Sequence, residues 1–244
     1  MAVILHPSPN FNDRPANAQG RARYLVLHYT GMASGGEALA RLSDPKAQVS
    51  AHYLIEEDGR LFKLVEEDKR AWHAGVSSWE GEPDINGHSI GIELVNPGHD
   101  SPGYIGDYRP FPERQMAALI PLCQDIIARH DIKPWHVLGH SDVAPGRKID
   151  PGELFDWPRL AKAGVGLWPD EGSVTGQWEK AATMQKMLRR YGYGVEVTGG
   201  WDQQTSDVVA AFHRHFRPRD HTASADEKTE ALLSALLQLK EADY

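Results

Sequence analysis

The stretch YLVLHYT, residues 24–30, is an apolar and aromatic run that contains a single histidine near its end. Such a run predicts a buried strand, and the glycines from Gly31 to Gly36 end it. A second stretch, HSIGIELVN at residues 88–96, predicts another strand, which Pro97 and Gly98 end. The sequence therefore predicts two buried strands, each with a titratable side chain near its end.

Further strands and a long helix follow the same kind of pattern. Residues 51–65, AHYLIEEDGRLFKLV, predict two short strands around the Asp58-Gly59 turn, which is a strong hairpin signal. Residues 135–140, WHVLGH, predict another strand. Residues 111–130 have apolar positions at helical spacing and predict a helix, which Pro121 should kink.

The composition of the chain changes after Trp157. Residues 161–176 are rich in glycine and predict a linker between residues 1–160 and residues 177–244. The last segment contains three sets of apolar residues at helical spacing, which predict a small, separate three-helix domain. Within it we assign Trp201 to the core, and we assign His213 and His215 to the polar side of their helix.

Composition excludes several classes of protein. The formal net charge of −8 over 244 residues argues against nucleic acid as the main partner, since phosphate binding needs a basic surface. Cys123 is the only cysteine, so no intrachain disulfide is expected, and no apolar run reaches the length of a transmembrane helix. The first residues lack the basic region of a signal peptide. The chain as written is therefore expected in the cytoplasm, or in the periplasm or cell wall if a leader was removed; its oligomeric state stays open.

One polar stretch, HSDVAPGRKIDPG at residues 140–152, is too rich in turn formers to predict a helix or a strand. It is either a solvated surface loop or part of a metal site. His28 and His140 each end a predicted strand, and Asp150 follows in the loop, which gives the two-histidine, one-carboxylate set of a catalytic zinc site. Because the chain has 12 histidines, a chance pairing is easy, and the pattern alone leaves both interpretations open.

Two charged residues accompany this set. Glu93 lies in an otherwise apolar strand, on the opposite face from Ile92 and Leu94, where a carboxylate is costly unless it is paired or functional. It is either a general base or a salt-bridged residue. Lys148, two residues before Asp150, either stabilises an oxyanion or is an ordinary solvated lysine.

The motifs LVLHYT, SAHYLIEEDG, RAWHAG, HSIGIELVN and GHSDVAPGRKIDPG occur in this order and together resemble the zinc-dependent N-acetylmuramoyl-L-alanine amidases of the type 2 family. The resemblance covers residues 20–160. It implies an α/β fold, with a central mixed β-sheet flanked by helices, and one Zn²⁺ in a cleft at the strand ends. The family shares this fold with phage lysozyme-amidases and animal peptidoglycan-recognition proteins. The tail is similar to the three-helix peptidoglycan-binding domain of cell-wall hydrolases.

The resemblance also implies roles for individual residues. The zinc ligands would be His28, His140 and Asp150, with Glu93 as the catalytic base and Lys148 as the oxyanion-stabilising residue. Phage and animal relatives lack this glutamate and use a tyrosine near the position of Ala51, so this chain has the bacterial pattern. Four further residues are candidates for substrate contact, with ordinary structural roles as the alternative: Trp72, His73, Asn86 and His88.

The implied activity is hydrolysis of the amide between N-acetylmuramic or anhydromuramic acid and L-alanine, in peptidoglycan or in muropeptides. A non-catalytic peptidoglycan-recognition protein on the same fold is the first alternative, and a zinc peptidase acting on stem peptides alone is the second. The wall-binding tail favours polymeric peptidoglycan, whereas the absence of a leader favours soluble muropeptides. The sequence leaves this choice of substrate open.

Overall fold

The structure, a computed structural model, describes residues 2–101, 104–169 and 178–242. Short strands dominate the first half of the chain and helices the second half. The strands are β1 (Val3–Leu5), β2 (Phe11–Asp13), β3 (Tyr24–Tyr29), β4 (Tyr53–Ile55), β5 (Leu61–Lys63), β6 (Lys69–Ala71), β7 (Ser89–Leu94) and β8 (Val137–Gly139). The helices are α1 (Gly35–Ser43), α2 (Ile85–His88), α3 (Glu113–His130), α4 (His140–Val143), α5 (Trp157–Lys162), α6 (Ala181–Tyr191), α7 (Gln203–Phe216) and α8 (Glu227–Ala242).

Six of the described strands form one mixed sheet in the order β1-β5-β4-β7-β3-β8. Strands β4 and β5 are antiparallel, as the hairpin at Asp58-Gly59 predicted, and the other neighbours in this sheet are parallel. Strands β2 and β6 pair separately. The predicted central mixed sheet flanked by helices is confirmed.

One face of the sheet packs against α3. Leu25 and Leu27 of β3 and Ile92 of β7 share a buried apolar cluster with α3 residues such as Leu119. The period of two along these strands places every second side chain in this cluster. Helix α3 runs through Pro121 from Glu113 to His130, so the predicted helix is confirmed.

The opposite face is divided between two apolar clusters. Helix α1 packs over β4 and β5, where Ala38 and Leu42 meet Leu54 and Phe62. The helical segment, which we define as residues 178–242, packs over β3 and β8. Its side chains share one cluster with the strand residues, among them Tyr24, Val26, Leu138, Leu188, Phe212 and Leu233.

The predicted helical region is present, and it shares its apolar cluster with the sheet. The apolar faces of α6, α7 and α8 are as predicted, but together they cover a sheet face that would otherwise be exposed. The boundaries at residues 160 and 176 stay a prediction, since residues 170–177 of the predicted linker lie outside the described residues.

Three assignments within the helical segment are wrong. Trp201 is 46% exposed and lies outside the shared cluster. His213 and His215 are buried, because α7 is covered on more than one side and its polar positions face neighbouring elements instead of solvent. Among the described residues, no helix is both long and apolar enough to cross a membrane.

Candidate active site

Three neighbouring parallel strands bring the candidate residues into one row. In the sheet register, His28 of β3 lies opposite Glu93 of β7, and Leu27 of β3 lies opposite Gly139, which directly precedes His140. Adjacent strands are about 4.8 Å apart, and the carboxyl ends of parallel strands meet at one edge of a sheet. We call Glu93, His28 and His140 the strand-end row.

Asp150 completes a cluster of three potential metal ligands. The Nδ1 atoms of His28 and His140 are 3.0 Å apart, and each is 3.0 Å from Oδ2 of Asp150. All three residues are buried. Although burial opposes its charge, contacts with His140 and His28 hold the pKa of Asp150 below its usual range. Donors of a tetrahedral zinc site lie about 3.3 Å apart at bond lengths near 2.0 Å, so the cluster fits such an ion.

A chain of hydrogen bonds fixes the tautomer of His28. The Ser89 hydroxyl donates to the Ile85 carbonyl at 2.6 Å, so its oxygen must accept the bond from His73 Nε2 at 3.0 Å. Neutral His73 therefore has a bare Nδ1, which accepts from His28 Nε2 at 2.9 Å. Burial lowers the pKa of His28 to about 4 and that of His73 well below its usual value. At neutral pH the bare Nδ1 of His28 thus points into the ligand cluster.

His140 is held in the matching orientation. Its Nε2 donates to the Ala74 carbonyl at 3.0 Å, so its Nδ1 is the nitrogen that faces the ligand cluster. Arg147 also donates to the Ala74 and Val76 carbonyls and so fixes the segment that holds His140. Two imidazole nitrogens and a carboxylate oxygen at mutual distances of 3.0 Å form a set of ligands that can hold one cation.

The loop that carries His140 and Asp150 is more regular than predicted. The four residues His140–Val143 form one helical turn, α4, which corrects the expectation that this stretch contains no helix. Burial of the turn, and a hydrogen bond from the Gly139 N–H to Asp142 at 2.7 Å, outweigh the turn formers that follow. The Ser141 N–H donates to the Asp150 carbonyl at 2.9 Å and joins the two ligand positions.

Glu93 lies beside the ligand cluster. Its Oε2 atom is buried and has no hydrogen-bond partner within the described residues. Burial raises the pKa of Glu93 well above its usual value; the Asp150 carboxylate raises it further, and Lys148 opposes this. The alternative of a salt-bridged structural glutamate therefore does not fit, and an unpaired carboxylate beside a metal site is suited to proton transfer.

These residues line one cleft of about 340 Å³. Lys148, Trp72 and His73 are part of its wall, together with residues of β3, α1 and the turns near them: Tyr29, Thr30, Gly31, Met32, Ala38, Arg41, Leu42, Val49 and Ser50. The Trp72 indole also donates to Asn12 at 2.7 Å. The structure thus brings together all five residues of the implied catalytic set.

Two of the four candidates for substrate contact lie elsewhere. Asn86 is buried, and its Oδ1 accepts the N–H groups of His73 and Ala74 at 3.0 and 2.8 Å. His88 faces Glu82 at 3.4 Å, on a surface groove outside the cleft. Asn86 therefore holds the backbone of the cleft wall, and neither residue lines the cleft.

The roles of His73 and Arg147 were missed by sequence reasoning. His73 has its ring against β7 exactly where that strand has Gly91; a Cβ atom at Gly91 would lie 2.4 Å from His73 Cγ. The glycine within an apolar strand was the available signal, since such a glycine indicates a close approach. Arg147 donates hydrogen bonds to backbone carbonyls, and no sequence pattern indicates such a contact.

Comparison with known proteins agrees with this geometry. The family model for N-acetylmuramoyl-L-alanine amidases matches residues 18–153, and a model for a peptidoglycan-binding domain matches residues 179–233. Within the first range lie the three potential ligands, Glu93 and Lys148.

Individual relatives extend the match to most of the chain. The N-acetylmuramoyl-L-alanine amidase AmiD of Escherichia coli is 41% identical over 236 residues, which are 91% of this chain and 84% of AmiD. The 1,6-anhydro-N-acetylmuramyl-L-alanine amidase AmpD of Enterobacter cloacae is 36% identical over 63% of this chain and 86% of its own length.

Two solved structures contain a ligand. That of AmiD with anhydro-N-acetylmuramic acid-L-Ala-D-γ-Glu-L-Lys has a TM-score of 0.78 and 39% identity, and it covers 90% of both chains. That of AmpDh3 from Pseudomonas aeruginosa with an anhydromuramic pentapeptide has a TM-score of 0.78 and 34% identity, and covers 90% of this chain and 92% of its own. On these matches, this chain belongs to the N-acetylmuramoyl-L-alanine amidase family.

Proposed function

We propose that this chain is a zinc-dependent amidase that hydrolyses the amide between the lactyl group of N-acetylmuramic or anhydromuramic acid and L-alanine. One observation carries the proposal: His28 Nδ1, His140 Nδ1 and Asp150 Oδ2 meet at 3.0 Å in a cleft that also contains Glu93 and Lys148. One Zn²⁺ would be held by these three atoms. When bound, it supplies a Lewis acid that polarises a carbonyl and makes water more acidic.

Glu93 would move the protons of the reaction. Its unpaired Oε2 accepts a proton from the attacking water and then delivers it to the nitrogen of the leaving L-alanine. A raised pKa suits this role, because a base must later act as an acid near neutral pH. The strand register holds Glu93 beside His28 and so fixes the distance over which the proton moves.

Lys148 would bind the oxygen of the scissile carbonyl as it gains negative charge. It lines the same cleft from the loop between the two ligands His140 and Asp150. The loss of one such donor typically costs about 100- to 1000-fold in rate.

The substrate class follows from the relatives. The AmiD and AmpDh3 structures contain anhydromuramic peptides, which supports a muropeptide for this cleft. The match of residues 179–233 to a peptidoglycan-binding domain supports peptidoglycan as the partner of the helical segment. We propose that both soluble muropeptides and the polymer are bound.

Mass spectrometry of a defined muropeptide, N-acetylmuramic acid linked to L-Ala-γ-D-Glu-diaminopimelate, tests this proposal. We expect the zinc-loaded protein to release free tripeptide, and a chelated sample to release none. Glu93→Gln should reduce the rate about 100- to 10,000-fold while zinc stays bound, because only the proton acceptor is lost.

Glu66→Gln is the matched control, since Glu66 is an exposed glutamate paired with Lys63 and should leave the rate unchanged. An intact muropeptide with zinc bound would contradict the proposal and favour a recognition protein. Cleavage of the peptide without muramic acid would favour a stem peptidase.

A further inference from the structure

We infer that the helical segment holds the metal-ligand loop in place through Asp142, with Tyr193 and His215 as positioning residues for His140 and Asp150. The inference rests on the proposed function, because it concerns the same zinc site. It assigns the segment that matches a peptidoglycan-binding domain a second role, inside the catalytic machinery of this chain.

Asp142 lies two residues after His140, within the helical turn α4, and its side chain is buried. Its carboxylate accepts three hydrogen bonds: the Gly139 N–H at 2.7 Å, the Tyr193 hydroxyl at 2.6 Å and His215 Nδ1 at 2.7 Å. A buried carboxylate is costly unless donors surround it. Two of its three donors belong to the helical segment. The buried carboxylate of α4 therefore depends on that segment for most of its hydrogen bonds.

His215 is fixed more firmly than a single hydrogen bond requires. Its ring stacks on Trp157 at 3.7 Å between centroids and on Phe216 at 3.9 Å. Trp157 belongs to α5, which precedes the helical segment, and Phe216 belongs to α7. The His215 ring is therefore held between a residue of the helical segment and one outside it. Its Nδ1–H therefore points at Asp142 with little freedom to turn away.

A second contact, independent of Asp142, brings α7 against the same loop. Gly146 has φ +73°, and a Cβ atom there would lie 2.4 Å from Oδ2 of Asp207 in α7. Glycine adopts this backbone conformation without strain and leaves room for the Asp207 carboxylate. The loop between the two ligands thus approaches α7 at Gly146.

The consequence reaches both ligand positions. His140 is the first residue of α4, and the Ser141 N–H donates to the Asp150 carbonyl at 2.9 Å. A shift of α4 would therefore move His140 and the backbone of Asp150 together, away from His28, which is fixed in β3. Metal ligands tolerate such displacement poorly, and loss of supporting partners typically costs about 10- to 100-fold in metal affinity.

Zinc affinity of the full-length protein, measured by competition with a chromophoric chelator, tests the inference. Tyr193→Phe removes one hydroxyl, and His215→Phe removes the N–H but keeps a stacking ring. We expect each to weaken zinc binding about 10-fold and to lower kcat for the muropeptide with little change in KM. His215→Asn retains a donor near the position of Nδ1 and should restore affinity towards that of the wild type.

Lys240→Gln is the matched control. Lys240 of α8 donates to Glu80 at 2.6 Å across the same interface, but not to Asp142. It should lower the melting temperature and leave zinc affinity unchanged, with every variant measured where circular dichroism shows it folded.

Each outcome has a distinct meaning. If Tyr193→Phe and His215→Phe bind zinc as tightly as the wild type, or if Lys240→Gln weakens zinc binding equally, the inference is wrong and the contacts are merely structural. If the wild type itself binds no zinc, the proposed function fails instead.

Discussion

The strand-end row and the buried carboxylate of Asp142 are two polar sites of opposite design. In the row, Glu93 Oε2 has no hydrogen-bond partner within the described residues, and Nδ1 of His28 faces Nδ1 of His140 at 3.0 Å. Asp142, by contrast, accepts three hydrogen bonds, and two of the three donors belong to residues 51 and 73 positions away in the chain. The first site has the ligand set of a metal site, whereas the protein itself supplies the hydrogen bonds of the second.

This difference distinguishes a site that is suited to bind a ligand from a site that fixes the position of its neighbours. Buried polar groups are normally satisfied, so an unsatisfied group in a cleft indicates that something else is to be bound there. A fully satisfied cluster at the contact of two segments indicates a fixed geometry. In this molecule the second kind of site adjoins the first, since Asp142 and His140 share one helical turn.

The largest effect on zinc affinity is expected at His73, which accepts a hydrogen bond from His28 of the strand-end row. His73→Leu removes the acceptor of the His28 Nε2 proton, so His28 loses the bond that orients it and sets its tautomer. We expect zinc affinity to fall about 10- to 100-fold, measured by chelator competition. Asparagine at position 73 places an oxygen near the position of Nδ1 and should recover part of the loss.

Nitrogen-15 chemical shifts of the His28 ring give a direct check on this tautomer. In the metal-free wild type we expect a protonated Nε2 and a bare Nδ1. Unchanged zinc affinity in the leucine variant would contradict this prediction. It would show that the hydrogen bond from His28 to His73 does not contribute to metal binding.

The strand-end row was predictable, and the reasons are local. His28, Glu93 and His140 each lie at the end of an apolar strand, so a period of two and a strand boundary place them at one edge of the sheet. The family motifs then implied their roles. Each of these residues is interpreted from its immediate neighbours in sequence, without knowledge of a distant contact.

The supporting contacts were not predictable, because they join residues far apart in sequence. His215 reads as a polar residue on a helix surface until Trp157 and Asp142 are placed against it. Trp201 reads as a core residue because it is large and apolar, yet no element of the described chain covers it completely. Periodicity shows which face of a helix is apolar, but not what packs on its other faces.

An intermediate effect, on the free energy of unfolding, is expected at Glu80. This residue forms an ion pair with Lys240 of the helical segment. Lys240 donates to it at 2.6 Å, His136 faces it at 3.0 Å and Arg23 is also in contact. Burial opposes its charge, but hydrogen bonds from His136 and Lys240 hold the pKa of Glu80 at about 2. Because this lies below the ordinary 4.5, the ionised form stabilises the fold above pH 4.5 and that stabilisation is lost as the pH falls towards 2.

Glu80→Gln should therefore cost about 1–2 kcal/mol of unfolding free energy at neutral pH, and the difference from the wild type should shrink between about pH 4.5 and 2. Urea denaturation across this range measures it. Glu113→Gln, at an exposed pair with Arg159, is the control and should show no comparable change with pH. A difference that stays constant down to the lowest pH would show that Glu80 contributes through packing instead of charge.

The smallest effect on the free energy of unfolding is expected at Trp201. Phe212, an aromatic residue of the same segment, provides a matched comparison. Phe212 is fully buried in the cluster shared with the sheet, so Phe212→Ala should cost about 3–5 kcal/mol of unfolding free energy. Trp201 is 46% exposed, and its indole N–H donates to the Glu179 carbonyl at 3.4 Å. Trp201→Ala should therefore change the unfolding free energy by less than about 0.5 kcal/mol in urea denaturation.

A cost for Trp201→Ala as large as that for Phe212→Ala would restore Trp201 to the core and contradict its position outside the shared cluster. A small cost has a further consequence, because an aromatic side chain that contributes little to folding can be changed without moving α7. The variant would then leave His215, Asp142 and zinc affinity as they are in the wild type. Loss of zinc affinity in Trp201→Ala, with stability unchanged, would mean that the coupling to the metal-ligand loop does not run through Asp142.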